Sequence, residues 1–323
     1  MDAHDAVVEP HLAQVAWAVR DLPRACRFYA EVIGFRRAGG RVLWGPVLGR
    51  IQELGTDAAA TVWWLVGGQA FVQLEFFQHT LPVGKARSAA WRPCDLGWAR
   101  VGIGVADLDA TLARARSVGH TPLGPLIADA GIRRAAIRDP DGVVVELVED
   151  GGHAGTPGRP AVRYAAVSVA DLAAARRFWI DTCGLTELDA EALHHPDHEA
   201  LWGLAGARRD LLVGRGGDVT LEIVHYREPI GARRPAEYRL CDQGLLNVAL
   251  AYRERDRFDR LLERVLARGY RATVACPPGA FASTYLVDDQ GCSVEIFSCP
   301  PDHDALVGFA VEPGFAPGLP LDP

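Results

Sequence analysis

The chain has 323 residues, enough for two domains of ordinary size, each with its own core. Its 34 basic and 41 acidic side chains leave a net charge of -7, which excludes the positive footprint that nucleic acid or anionic lipid requires. The start, MDAHDAVVEP, is acidic where a secretory leader needs a positive and then apolar segment, and no stretch reads as a membrane span. A cytoplasmic protein is therefore expected, with small-molecule partners and a homodimer allowed. The seven cysteines are odd in number and contain no C-x-x-C pair, which argues against both a disulfide framework and a zinc knuckle.

In chain order, an alternating strand, HLAQVAWAV from His11, runs into Asp21, placed to cap a helix marked by Leu22, Cys26 and Tyr29. The apolar stretch 58–77 is broken by Gly67, Gly68, Gln69, Gln73 and Glu75, and reads as a strand hairpin. A second strand, ARVGIGV, leads through Asp107 into a helix with Leu108, Leu112 and Ala115 on one face and Gly119 at its end. RYAAVSV followed by Asp171 opens a third such unit. LLNVALAY followed by a turn at Arg253 opens a fourth, whose helix carries Phe258, Leu262 and Val265 and stops at Gly269. Each unit closes on a strand bearing Glu: QLEFF, VVELVE, TLEIV and SVEIF.

The strongest signal is internal. The segment from Leu74 lies without a gap over the segment from Leu221, pairing Glu75 with Glu222, Pro82 with Pro229, Gly84 with Gly231, Arg92 with Arg239 and Cys94-Asp95 with Cys241-Asp242. Leu43-Trp44-Gly45 likewise matches Leu201-Trp202-Gly203, and Asp139 to Gly142 matches Asp288 to Gly291. The Gly- and Pro-rich stretch at 151–160 reads as a linker. It would separate a domain at 1–150 from one at 161–300, with a Pro-rich tail over 301–323.

This pattern, with RDLPRACRFYAEVIGF at 20–35 and RDPDGVVVEL at 138–147, resembles the vicinal oxygen chelate superfamily of glyoxalase I, bleomycin-resistance proteins and extradiol dioxygenases. The resemblance covers about residues 10 to 300. It implies an α+β fold of four βαβββ modules, paired into two half-open eight-stranded barrels around ligand cavities. It also implies metal ligands on the first and last strands of each module. Carried onto this chain, those positions are Gln14, Glu75, Arg100 and Glu146 in the first half, and Tyr164, Glu222, Asn247 and Glu295 in the second. The carboxylate survives four times and the histidine nowhere. Arg100 is a permanent cation, and Asn247 and Tyr164 are weak donors beside imidazole. An extradiol dioxygenase, which needs two His and a carboxylate in the second half, is therefore not expected, and neither is a bound metal.

Alternation puts Gly102 and Gly104 on the face of Arg100, Ala166 and Ser168 on that of Tyr164, Ala249 and Ala251 on that of Asn247, and Ala16 and Ala18 on that of Gln14. Small inward residues leave room for a ligand. The expected active constellation is Glu222 and Glu295 as base and acid, with Asn247 and Tyr164 orienting and stabilising. They would act in a C-terminal cavity, without a cofactor, on a small carbonyl-bearing metabolite, as an isomerase, lyase or cyclase. Arg100 is expected to neutralise Glu75 or Glu146, or else to clamp a substrate carboxylate. His79 and Tyr226 are expected near a pocket mouth. The run His194, His195, Pro196, Asp197, His198 reads as a polar loop, and Trp63-Trp64, Trp44 and Trp202 as core or wall. Two alternatives stand beside this reading: a small-molecule sequestering protein, and a metal-dependent lyase or dioxygenase with atypical ligands such as Gln14, Glu75 and Glu146, or Glu222 and Glu295 with water.

Overall fold

The computed structural model describes residues 8–151, 156–276 and 278–311. The middle of the expected linker, 152–155, and the tail from 312 lie outside the described residues.

The four units form where the sequence places them. The first comprises β1 (His11–Ala18), α1 (Leu22–Arg27, extended by a wider π turn over Phe28–Ile33), β2 (Arg36–Trp44), α2 (Pro46–Ile51), β3 (Ala59–Val66) and β4 (Gln73–Leu81). The second comprises β5 (Gly97–Val105), α3 (Leu108–Ser117), β6 (Ile127–Asp129), β7 (Ile132–Arg138) and β8 (Val144–Glu149). The third runs through β9 (Ala161–Ser168), α4 (Leu172–Arg176, again with a π turn, Arg177–Thr182), β10 (Thr186–Leu188), β11 (Arg208–Gly216) and β12 (Val219–Glu228). The fourth holds β13 (Gly244–Tyr252), α5 (Arg255–Ala267), β14 (Ala282–Val287) and β15 (Ser293–Ser298). Asp21, Asp107 and Asp171 cap their helices as expected, each side chain accepting from the backbone N–H three residues on. The hairpin expected in 58–77 is the antiparallel pair β3 and β4.

The pairing of the modules differs from the expectation. Two sheets form, but neither follows a sequence half. An inner sheet of eight strands, β10-β11-β12-β9-β5-β8-β7-β6, joins the second and third modules; an outer sheet of seven, β14-β15-β13-β1-β4-β3-β2, joins the first and the fourth. The contact between modules is antiparallel in both sheets: β1 with β13, and β5 with β9. Among the described residues the outer sheet has seven strands, with no counterpart of β6, while the isolated bridge Ala272 to Leu286 repeats Pro122 to Ile137 of the second module.

The helices pack on the convex faces, where large apolar side chains such as Val15, Trp17, Val101, Ile103, Val167, Val248 and Leu250 are buried with Tyr29, Phe178 and Phe258. The opposite, concave faces carry the small residues that alternation assigned to them. Trp63, Trp64 and Trp202 are buried, but Trp44 is 73% exposed, which corrects its placement in the core. All seven cysteines are free thiols, as expected.

Candidate active site

Register turns eight inward positions into two quartets, each drawn from both halves of the chain. In the outer sheet Glu75 lies beside Ala16 on the parallel strand, Asn247 lies opposite the same Ala16, and Glu295 and Gln14 have the same relation to Ala249. In the inner sheet Glu146 and Tyr164 flank Gly102, and Glu222 and Arg100 flank Ala166. The expected catalytic set of Glu222, Glu295, Asn247 and Tyr164 is therefore divided: Glu295 and Asn247 sit in one sheet, Glu222 and Tyr164 in the other. Modules that share a sequence half do not share a concavity, and that is the reason.

The inner quartet is filled by the protein itself. Arg100 and Glu222 form an ion pair with both side chains fully buried. This corrects the expected partner, Glu75 or Glu146, while keeping the neutralising role. The guanidinium lies 3.8 Å above the Trp202 ring, a cation–π contact. His194 bridges the two carboxylates, Nδ1 at 2.8 Å from Glu222 and Nε2 at 3.0 Å from Glu146. Arg134 and the Tyr164 hydroxyl also donate to Glu146, at 2.7 and 2.6 Å. Tyr226, expected at a pocket mouth, is buried and donates to Glu199, which also holds Arg209. Burial alone would raise Glu222, yet Arg100 and then His194 hold it down to about 2. Burial alone would lower His194, but Glu222 and Glu146 raise it. Gly102 is required here, since a Cβ would stand 1.9 Å from the Tyr164 ring. The run at 194–198 is thus no polar loop: His194 is 0% exposed, and Pro196–Trp202 forms a 3-10 helix that seals the concavity. Nothing in its spacing marked it for burial.

The outer quartet opens on a cavity of about 220 Å³, walled by Trp64, Phe77, Tyr285, Phe297 and Phe309. One amide joins its two carboxyls: Gln14 Nε2 donates to Glu75 Oε2 at 2.5 Å and to Glu295 Oε2 at 3.1 Å. The Gln14 oxygen accepts from Gln73 at 2.8 Å, which fixes the amide's orientation. Trp64 Nε1 donates to the other oxygen of Glu75 at 2.9 Å, and Ser283 donates to the other oxygen of Glu295 at 2.5 Å. Burial and then the neighbouring Glu295 push Glu75 well above the carboxylate range. Burial pushes Glu295 up to about 7 against the hydrogen bonds from Ser283 and Gln14. Two carboxyls in one apolar recess cannot both ionise cheaply. Glu295 keeps partial exposure, and that exposure faces the cavity.

Asn247 is fully buried; its amide interacts with the Tyr285 phenol, and neither amide atom has a partner at ordinary hydrogen-bond geometry among the described residues. Tyr285 lines the same recess, and its phenol is raised well above the usual range by burial and then by Glu295. His79 does not line the mouth: it is buried against Gln52, 2.7 Å from Nε2 to Oε1, and burial pulls it down to about 4, so the ring is neutral. Tyr285, Trp64 and Ser283 are site residues that the repeat did not announce, because they come from middle strands whose order within a module leaves no motif, and Gln73 opens the closing strand β4 two residues before Glu75.

Comparison with known proteins agrees with this architecture. Residues 11–147 match the profile of the Glyoxalase/Bleomycin resistance protein/Dioxygenase superfamily. Among solved structures, a point mutant of glyoxalase I from Zea mays superposes with a TM-score of 0.61 at 16% identity, over 90% of this chain and 94% of that one. A candidate dioxygenase from Bacillus subtilis gives 0.64 at 14% identity, over 95% and 92%. At such identities the likeness establishes the fold alone. No curated protein sequence matches the chain. Among the described residues no helix is long and apolar enough to cross a membrane.

Proposed function

From a chain whose residues 11–147 match the profile of the Glyoxalase/Bleomycin resistance protein/Dioxygenase superfamily and of which 90% superposes on a glyoxalase I structure, we propose an enzyme that moves a proton on a small carbonyl-bearing metabolite in the outer-sheet cavity. One observation carries the reading: Glu75 and Glu295 meet on a single amide at the head of an apolar recess. Glu295, near 7, is the base that takes a proton from the carbon beside the carbonyl. Glu75, held protonated by burial, is the acid that returns one to the neighbouring atom. One proton is taken and one is given to the neighbouring atom, so the substrate is isomerised, and the pair resets by exchange with water. The Tyr285 hydroxyl, which lines the cavity, supplies the donor for the enolate oxygen that forms between the two transfers, and the buried Asn247 amide interacts with that phenol and positions it. The small volume suits a compact substrate. The protein is proposed to work in the cytoplasm, alone or as a homodimer.

A second reading rests on Asn247. The family places metals at these four strand positions. Glu75, Asn247 and Glu295 present oxygen donors, Gln14 would join them only with its amide turned over, and a buried amide beside two carboxyls fits a hard divalent cation. Bound there, such an ion would polarise a substrate carbonyl.

The test is deuterium exchange followed by NMR, with dihydroxyacetone, lactaldehyde and 2-oxo acids as probes in heavy water, alongside elemental analysis of protein purified without chelators. Exchange that disappears in Glu295→Gln supports proton transfer. Stoichiometric metal on which exchange depends moves the conclusion to the second reading. A probe that binds tightly and never exchanges makes the protein a sequestering one.

A further inference from the structure

A cavity of about 440 Å³ lies away from both quartets, between the two copies of the repeat that follow β4 and β12. The copies clasp each other. Asp242 accepts from the Lys85 backbone and Asp95 from the Ala232 backbone, both at 2.8 Å. Each Asp also caps its own copy, through the backbone N–H of Arg92 or Arg239. The acids at this cavity are therefore committed: Asp95 and Asp242 to the clasp, and Glu237 to Lys85 at 3.4 Å.

The cations are not matched in the same way. Arg87 and Arg234 occupy equivalent positions, each over an aromatic ring of its own copy, Trp91 at 3.4 Å and Tyr238 at 4.7 Å. Arg234 Nη1 donates to the Gly291 carbonyl at 3.0 Å. The matching carbonyl in the first copy, Gly142, is taken at 2.7 Å by Arg138, whose counterpart in the second copy is Val287. Arg87 Nη1 is left buried with no hydrogen-bond partner among the described residues. A buried guanidinium nitrogen without an acceptor is a costly arrangement that an anion would relieve.

We propose that this cavity binds a small planar organic carboxylate, its head on Arg87 and its flat body between Trp98 and Tyr238. The planar fork of Arg matches a carboxylate. Lys85, Arg233 and Arg234 also line the cavity, so it is the flat aromatic walls rather than charge that select a carboxylate on a ring over phosphate. The aromatic walls favour a ring over an aliphatic acid.

The experiment is calorimetric titration of the full-length protein with benzoate, with benzamide and inorganic phosphate as comparison probes. Benzoate is expected to bind, and benzamide, which lacks the charge, and phosphate, which lacks the ring, at least about tenfold more weakly. Arg87→Met should weaken benzoate by about tenfold or more. Arg138→Val, which gives the first copy the residue of the second and frees Gly142 for Arg87, should weaken it too, and this decides the matter if Arg87→Met does not fold. Glu295→Gln should leave benzoate affinity unchanged, which separates this site from the outer-sheet cavity. Absence of benzoate binding, equal binding in Arg138→Val, a preference for phosphate, or loss of binding in Glu295→Gln would each overturn the proposal.

Discussion

Glu75 and Glu295 stand at opposite ends of the sequence, and their carboxyl oxygens lie 2.5 and 3.1 Å from the same Gln14 nitrogen. Strands β4 and β15 bring them there by flanking β1 and β13, the two strands that join the first module to the last.

Glu295→Gln should remove the base and keep the shape. Turnover or deuterium exchange is expected to fall by about 10²-fold or more, the usual share of a positioned general base. The same variant should melt at a higher temperature than the parent at pH 8, because a carboxyl raised to about 7 is charged there at a cost to the fold. Activity unchanged in this variant would take Glu295 out of the reaction.

A base must be deprotonated to act. With Glu295 at about 7 and Glu75 well above the usual carboxylate range, kcat/KM should rise with pH through about 7 and fall again once Glu75 ionises. A profile flat from pH 5 to 9 would contradict this order of ionisation.

Arg100→Met leaves Glu222 buried beside a single bridging imidazole. Denaturant unfolding should show a loss of about 3–5 kcal/mol, the scale for breaking a buried ion pair from one side. The double variant Arg100→Met, Glu222→Leu should recover much of it, since removing both charges removes the penalty. A double variant no more stable than the single would show that packing, not charge, is the cause.

His194 and Glu222 give the inner sheet opposite pH limits. The raised His194 stabilises in full below its ordinary 6.5, and its contribution is lost as pH climbs through the raised folded value. The lowered Glu222 stabilises above its ordinary 4.5, and its contribution is lost as pH falls towards about 2. The melting temperature should therefore be highest between those ordinary values and decline on the alkaline side. His194→Gln should lower it overall and flatten that alkaline decline; an unaltered slope would mean that other groups set it.

Much of this was legible in the residues. Asp21, Asp107 and Asp171 announced the helices, the recurrent Glu announced the closing strands, and alternation put Gln14 and Asn247 on concave faces. Two carboxyls do share one recess, but they are Glu295 and Glu75; the expected pair of Glu222 and Glu295 is divided between the sheets. A repeat records which modules are alike, and it says nothing about which edges meet. That choice is made by contacts such as Ala16 with Asn247 and Gly102 with Tyr164, which span long stretches of chain. His194 was hidden for a related reason: its burial depends on Arg100, Glu146 and Glu222, three residues from two modules, and its own neighbours look like a solvated turn.

The nested order of pairing also governs how the molecule comes into being on the ribosome. The inner modules are consecutive and can close on each other as soon as β12 has emerged, whereas β1 must wait with an unpaired edge until β13 arrives. The Glu75–Glu295 pair belongs to the part that is finished last. A nascent chain interrupted anywhere before β15 therefore lacks Glu295 and the outer recess, and β1 presents a waiting strand edge until β13 arrives.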